Sequence, residues 1–158
     1  MTRANPGGAN SGGADLRPEN AALQEVLAAE HTAIWGYGVV GDALPAAQRA
    51  TAETAEAAHR DARDTLAQLL DSRGADPVAA RAAYAVPFPV ASAKDAAALA
   101  VRLEDGTART WVRLLDQAVQ RSTRQLAVDG LTACELRAVG WRTAAGQAPV
   151  TVPFPGLP

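Results

Sequence analysis

The chain has 158 residues, of which 48% are hydrophobic and only 4% aromatic, and its formal net charge is −2. This is enough apolar material for one compact domain, and the charge gives no electrostatic basis for binding nucleic acid. The single cysteine, Cys134, excludes an internal disulfide and a cysteine-based zinc site, and the chain has no stretch of about 18 apolar residues that could span a membrane.

Residues 1–18 are rich in glycine, asparagine and proline and offer little to bury. We therefore expect them to form a disordered tail. They also lack the apolar region that a secretory signal requires, so we expect a cytoplasmic location.

The first half of the chain predicts two helices. The first runs from about residue 18 to residue 44 and is stopped by Pro45, and the second runs from about residue 46 to residue 73 and ends at Gly74. Because the link between them is so short, the two helices must form an antiparallel hairpin.

The second half predicts another hairpin. A third helix covers residues 93–118, with Ser92 as its N-cap and Asp95 in its first turn. A fourth covers residues 122–145, and residues 147–158 are expected to form an extended strap.

The two hairpins are joined by about 19 residues that contain several prolines. An extended segment of this length reaches roughly 60 Å, enough to return along the whole length of the helices. The sequence therefore predicts an all-α protein whose residues 19–146 form a four-helix bundle of two antiparallel hairpins with a long crossover, the connectivity of ferritin-like bundles.

Several ionisable residues fall on the apolar faces of these helices. At 100° per residue, Glu30 lies in the middle of the apolar stripe of the first helix, and His59 and Glu104 lie within the apolar rows of the second and third. Glu56 lies on the flank of its row, and Glu135 lies near the apolar row of the fourth helix. A buried carboxylate costs several kcal/mol unless another group compensates its charge.

The depths of these residues in the bundle also agree. Glu30 precedes the first hairpin turn by about 15 residues and His59 follows it by about 14, while Glu104 precedes the second turn by about 16 and Glu135 follows it by about 14. Equal distances from a turn place residues at one level of an antiparallel hairpin. We therefore expect these residues and Glu56 to converge in one layer.

Such a layer is typical of ferritin-like di-metal carboxylate proteins, which use one Glu from each of two helices and a Glu-x-x-His motif from each of the others. Glu56 and His59 match the first motif, whereas Glu135 is followed by Ala138 where the second histidine would stand. Carboxylate and imidazole ligands suit iron or manganese. The sequence thus predicts a metal layer of Glu30, Glu56, His59, Glu104 and Glu135 with one ligand missing.

Four segments carry a closer resemblance. The chain resembles actinobacterial ferritin-like domains of unknown function in EHTAIWGYGVVGDAL at 30–44, in HRDARD at 59–64, in the RLED…W spacing at 102–111 and in the terminal FPGLP. The resemblance implies a ferritin-like bundle and a dimer, and it brings no established activity.

Two alternatives to a metal layer stay open. In one, the layer is a buried polar network, in which Glu30 or Glu135 pairs with Arg142 or Arg63 and His59 forms a hydrogen bond with a carboxylate. In the other, Glu56 and Glu135 are exposed, and Glu30, His59 and Glu104 alone lie inside.

The expected function depends on whether the layer binds metal. A degenerate layer predicts a non-enzymatic binding or scaffold protein, whereas a working layer predicts a di-iron or di-manganese oxidoreductase that acts on O2 or peroxide. Gly36, Gly38 and Gly41 each cost about 1 kcal/mol in the first helix relative to alanine. Close approach of a second subunit would offset this cost, so we expect a homodimer that involves the first helix.

Overall fold

The computed structural model describes residues 15–157 and contains four helices within that range. They are α1 (Arg17–Ala43), α2 (Ala46–Ser72), α3 (Ala93–Gln117) and α4 (Arg121–Ala145). Each end lies within one residue of its predicted position, so the all-α prediction is confirmed.

The helix ends follow local chemistry. The Ser92 hydroxyl accepts a hydrogen bond from the backbone N–H of Asp95 (3.2 Å) at the start of α3. Gly74 follows α2 with a φ of 70°, and Gly146 follows α4 with a φ of 69°. Glycine adopts this left-handed conformation without a Cβ clash, so the chain turns sharply away from both helices.

The packing of the helices defines the bundle. α1 packs against both α2 and α3, and α3 packs against α4. Alanine is frequent in the buried core, which lets the helices approach closely, and larger side chains such as Leu23, Tyr37 and Trp111 fill the remaining space. Among the described residues, α2 and α4 do not belong to the closely packed pairs, and a groove separates part of their length.

The crossover between α2 and α3 lies along α1. The Gln24 side chain donates to the Asp76 carbonyl (2.7 Å) and accepts from the Val78 backbone N–H (2.7 Å). Further along, the rings of Trp35 and Tyr84 lie 5.8 Å apart. The long link therefore returns over the bundle, as its length predicted, and covers one side of α1.

The C-terminal segment lies against α3. Residues 147–157 form neither helix nor strand, and Gly156 lies against Ala108 and Val112 of α3. Residues 1–14 of the predicted tail lie outside the described residues, and α1 begins inside the predicted tail, at Arg17. Within residues 15–157, none of the helices combines the length and apolar character needed to cross a lipid bilayer.

Candidate functional site

Three of the five predicted site residues meet in the interior of the bundle. His59 of α2 lies between two carboxylates: its Nδ1 donates to Glu30 Oε2 of α1 (2.6 Å) and its Nε2 donates to Glu104 Oε1 of α3 (3.2 Å). All three side chains are at most 1% exposed. The hairpin geometry thus brings these three residues together, as the sequence predicts.

Two further residues complete the cluster on Glu104. The Tyr37 hydroxyl donates to Glu104 Oε1 (2.5 Å). The Arg137 guanidinium of α4 binds both oxygens, with Nε donating to Oε1 (2.8 Å) and Nη2 donating to Oε2 (3.0 Å). We call Glu30, Tyr37, His59, Glu104 and Arg137 the buried network.

His59, Glu104 and Arg137 carry charges that compensate one another. Burial lowers the pKa of His59, but the hydrogen bonds to Glu104 and Glu30 outweigh that effect and raise the pKa to about 9. Burial raises the pKa of Glu104, but the hydrogen bonds from His59 and Arg137 outweigh it and bring that pKa below its ordinary value. At neutral pH an imidazolium and a guanidinium therefore lie beside the Glu104 carboxylate.

The side chains of Tyr37 and Cys134 lie beside the Glu104 carboxylate, and both side chains are protonated. Burial, with the negative charge of Glu104 in second place, raises the pKa of the Tyr37 hydroxyl far above its ordinary value. The same two causes, in the same order, raise the pKa of the Cys134 thiol. Neither group is therefore poised to act as a base or a nucleophile at neutral pH.

The other two predicted site residues make no hydrogen bond or ion pair with the buried network within residues 15–157. Glu56 is paired with Arg60 one turn further along α2. Glu135 is partly exposed and contacts Arg142 (3.4 Å), which also binds Asp105 (2.5 Å). The structure therefore joins three of the five predicted residues directly, and a layer of all five stays a prediction.

The arginine partners were predicted in part. Arg142 does pair with Glu135, but Arg63 pairs with its neighbour Asp64 rather than with a buried glutamate. Tyr37 and Arg137 also belong to the network, although the sequence did not predict them. Arg137 precedes Ala138, the position where the second metal-binding histidine was expected. A basic residue next to that position could have indicated a cation that pairs with a buried carboxylate.

The geometry of the network does not fit a pair of metal ions. Both ring nitrogens of His59 are engaged by carboxylates, and the Arg137 guanidinium covers both oxygens of Glu104. Within residues 15–157, no group of three or more His, Cys, Asp and Glu side chains is arranged to hold an ion. Metal binding by the five predicted residues stays a prediction.

Comparisons with known proteins agree with the fold. The crystal structure of a conserved hypothetical protein, rv2844, from Mycobacterium tuberculosis is 35% identical to the chain, with a TM-score of 0.79. The alignment covers 82% of this chain and 98% of the mycobacterial one. No protein of curated function matches the sequence.

The sequence also matches a family over most of its length. Residues 22–158, which include all of the buried network and most of the bundle, match the domain of unknown function DUF4439. The chain therefore belongs to the DUF4439 family.

Proposed function

We propose that this protein is a non-enzymatic binding or scaffold protein. The observation that carries the proposal is the closed buried network: a histidine and an arginine, rather than metal ions, compensate the two buried carboxylates. Within the described residues, every buried side-chain nitrogen and oxygen has a hydrogen-bond partner. Because the charged groups of the network are paired with one another, the network favours one packing of the four helices.

The competing proposal is a di-iron or di-manganese oxidoreductase that acts on O2 or peroxide. It is favoured by the convergence of Glu30, His59 and Glu104 from three helices at one level of the bundle. It requires Arg137 to leave Glu104, and it requires Glu56 and Glu135 to give up their arginine partners and turn inward. Each of these changes separates an existing ion pair.

Metal analysis distinguishes the two proposals. The protein is purified without chelator from cells grown with added iron and manganese, and its metal content is measured beside that of Glu30→Gln. Glu53→Gln, a change on the exposed face of α2, is the matched control. We expect sub-stoichiometric metal in all three proteins. One or two ions per chain in the wild type and in Glu53→Gln, lost in Glu30→Gln, would establish the metal site instead.

We further propose that the protein is a homodimer in contact through α1. Gly36 gives no support, because a Cβ there would lie 2.6 Å from Leu103 Cδ1 of the same chain. Gly38 and Gly41 do support it, since no described atom lies within 4 Å of a Cβ at either position. A two-fold axis at this surface would bring a second α1 close to these glycines.

The oligomeric state is measured by sedimentation equilibrium at micromolar concentration. We expect a dimer for the wild type and a monomer for Gly38→Arg, whose long charged side chain would keep the helices apart. Gly106→Arg on α3, where a Cβ likewise has no neighbour within 4 Å, should remain dimeric. A monomeric wild type would refute the proposal.

A further inference from the structure

A groove between α2 and α4 lies beside the buried network and shares Arg137 with it. Its volume is about 600 Å³, within the range of roughly 300–1,000 Å³ that is typical of small-molecule sites. Ala55 of α2 and Gly140 and Trp141 of α4 are among the residues that line it. The small side chains on both helices keep the groove open.

The walls of the groove are mainly apolar. Leu136 is 72% exposed at its edge, and Ala50 and Ala144 add further apolar surface from the two helices. Such a continuous apolar surface is favourably covered by an apolar partner, since burial of apolar area releases roughly 25 cal/mol per Å². Gln48, Thr51 and Thr54 contribute the polar side chains on the α2 side.

Arg137 is the charged residue that lines this groove. Its Nε and Nη2 are used by Glu104 and by Cys134 Sγ, whereas Nη1 makes no hydrogen bond with any described residue. Since no buried nitrogen lacks a partner in the described chain, Nη1 is accessible to solvent. Arg137 thus lines an apolar groove, its guanidinium is held by Glu104, and its Nη1 has no hydrogen-bond partner among the described residues.

We propose that the groove binds a small amphipathic molecule with an apolar body and a hydrogen-bond-accepting head, such as a carboxylate or an amide oxygen. The body lies against Leu136 and Trp141, and the head accepts a hydrogen bond from Arg137 Nη1. A cationic head is disfavoured because it would meet the guanidinium. This deepens the proposed binding function, but it is tested by ligand binding rather than by metal content.

The test uses three probes with one alkyl chain and different heads. Decanoate, decanamide and decyltrimethylammonium are each titrated, below their micelle concentrations, into the ¹⁵N-labelled full chain, and the amide shifts are followed by NMR. We expect decanoate, decanamide or both to shift amides of α2 and α4 around Thr54 and Gly140. The cationic probe should bind at least about tenfold more weakly, which corresponds to one charge-assisted hydrogen bond.

A groove-filling variant provides the control. Gly140→Leu fills the groove without a clash, since a Cβ at this position meets no described atom within 4 Å, and leucine favours a helix more than glycine does. Gly106→Leu makes the same change on α3, where a Cβ is also unobstructed. We expect Gly140→Leu to weaken binding at least about tenfold and Gly106→Leu to leave it unchanged.

The outcomes separate an anionic from a neutral ligand and define failure. Binding of decanoate alone would indicate an acidic ligand, and binding of decanamide alone would indicate a neutral one. The proposal is overturned if neither probe binds, if Gly140→Leu binds as tightly as the wild type, or if the cationic probe binds equally well. None of these results depends on the metal content of the protein.

Discussion

Raising the pH should weaken the fold through His59. The pKa of His59 is about 9 in the folded protein, against about 6.5 in an unfolded chain. A histidine whose pKa is raised on folding contributes its stability fully below pH 6.5, and that contribution is lost as the pH rises through 9. The full contribution is about 3 kcal/mol, since each pKa unit is worth about 1.4 kcal/mol.

Most of this loss falls in an accessible pH range. With these two pKa values, His59 contributes about 3 kcal/mol to the free energy of unfolding at pH 6.5 and about 1 kcal/mol at pH 8.5. The free energy of unfolding should therefore decrease by about 2 kcal/mol between these pH values. Urea denaturation at a series of pH values between these limits measures it. The Cys134 thiol, whose pKa is also raised by burial, adds only about 0.4 kcal/mol to the decrease at pH 8.5, where about half of it is ionised in the unfolded chain.

His31→Gln gives the matched control. The chain has two histidines, and His31 is a partly exposed residue on α1 whose Nε2 contacts the Val78 carbonyl (3.1 Å). In this variant His59 is the only imidazole, so one set of ring signals titrates in the NMR spectrum. We expect the variant to keep the pH dependence of the wild type. Titration of His59 at or below pH 6.5, or constant stability from pH 6.5 to 8.5, would refute the reasoning.

Three further predictions concern packing and burial. Gly130→Ala should lower the free energy of unfolding by about 1–3 kcal/mol because its Cβ would overlap the buried Trp111 ring. Gly140→Ala on the same helix should raise the free energy of unfolding by up to about 1 kcal/mol, because alanine favours a helix more than glycine does. The midpoints of urea denaturation measure both effects. The buried thiol of Cys134 should react with a disulfide reagent only when the chain unfolds, and rapid labelling of the native protein would contradict this. Glu19→Ala should lower the free energy of unfolding by about 3–5 kcal/mol, since Glu19 is fully buried and accepts hydrogen bonds from four donors. Thermal unfolding tests this, with a change of an exposed glutamate on α1 to alanine as the control.

The helix boundaries could be predicted because local chemistry determines them. Pro45 stops α1, Gly74 follows α2, and Ser92 caps α3 through contacts within a few residues. The depth of Glu30 and His59 could be predicted as well, because an antiparallel hairpin fixes the level of a residue by its distance from the turn. Helix boundaries and the depth of a residue in a hairpin both depend on residues that are near one another in the sequence.

The partners of the buried carboxylates could not be predicted in the same way. Helical periodicity gives the direction of a Cβ, but an arginine side chain extends far beyond its Cβ along an apolar surface. Arg137 is thus part exposed while its guanidinium binds the buried Glu104. Glu19 lies in the first turn of α1, where acidic residues are common, yet it accepts hydrogen bonds from the α3–α4 turn, about 100 residues away. Such contacts depend on tertiary packing.

The glycine run shows a similar limit. A glycine on a helix indicates that something approaches closely, but it does not identify the approaching group. At Gly36 that group is Leu103 of the same chain. Of the three glycines, Gly38 and Gly41 therefore still indicate a second subunit.

The residues at positions 137 and 138 are best understood as one feature. Ala138 is fully buried where a second histidine would bind metal, and the preceding Arg137 supplies the positive charge that Glu104 needs. A guanidinium on both oxygens of Glu104 and a metal ion on the same oxygens exclude each other, and a buried Glu104 with neither would be strongly destabilising. We therefore expect that chains of this family with histidine at the position of Ala138 lack a basic residue at the position of Arg137. An alignment of the family tests this, and frequent joint occurrence of the two residues would show that Arg137 does not replace a metal ion.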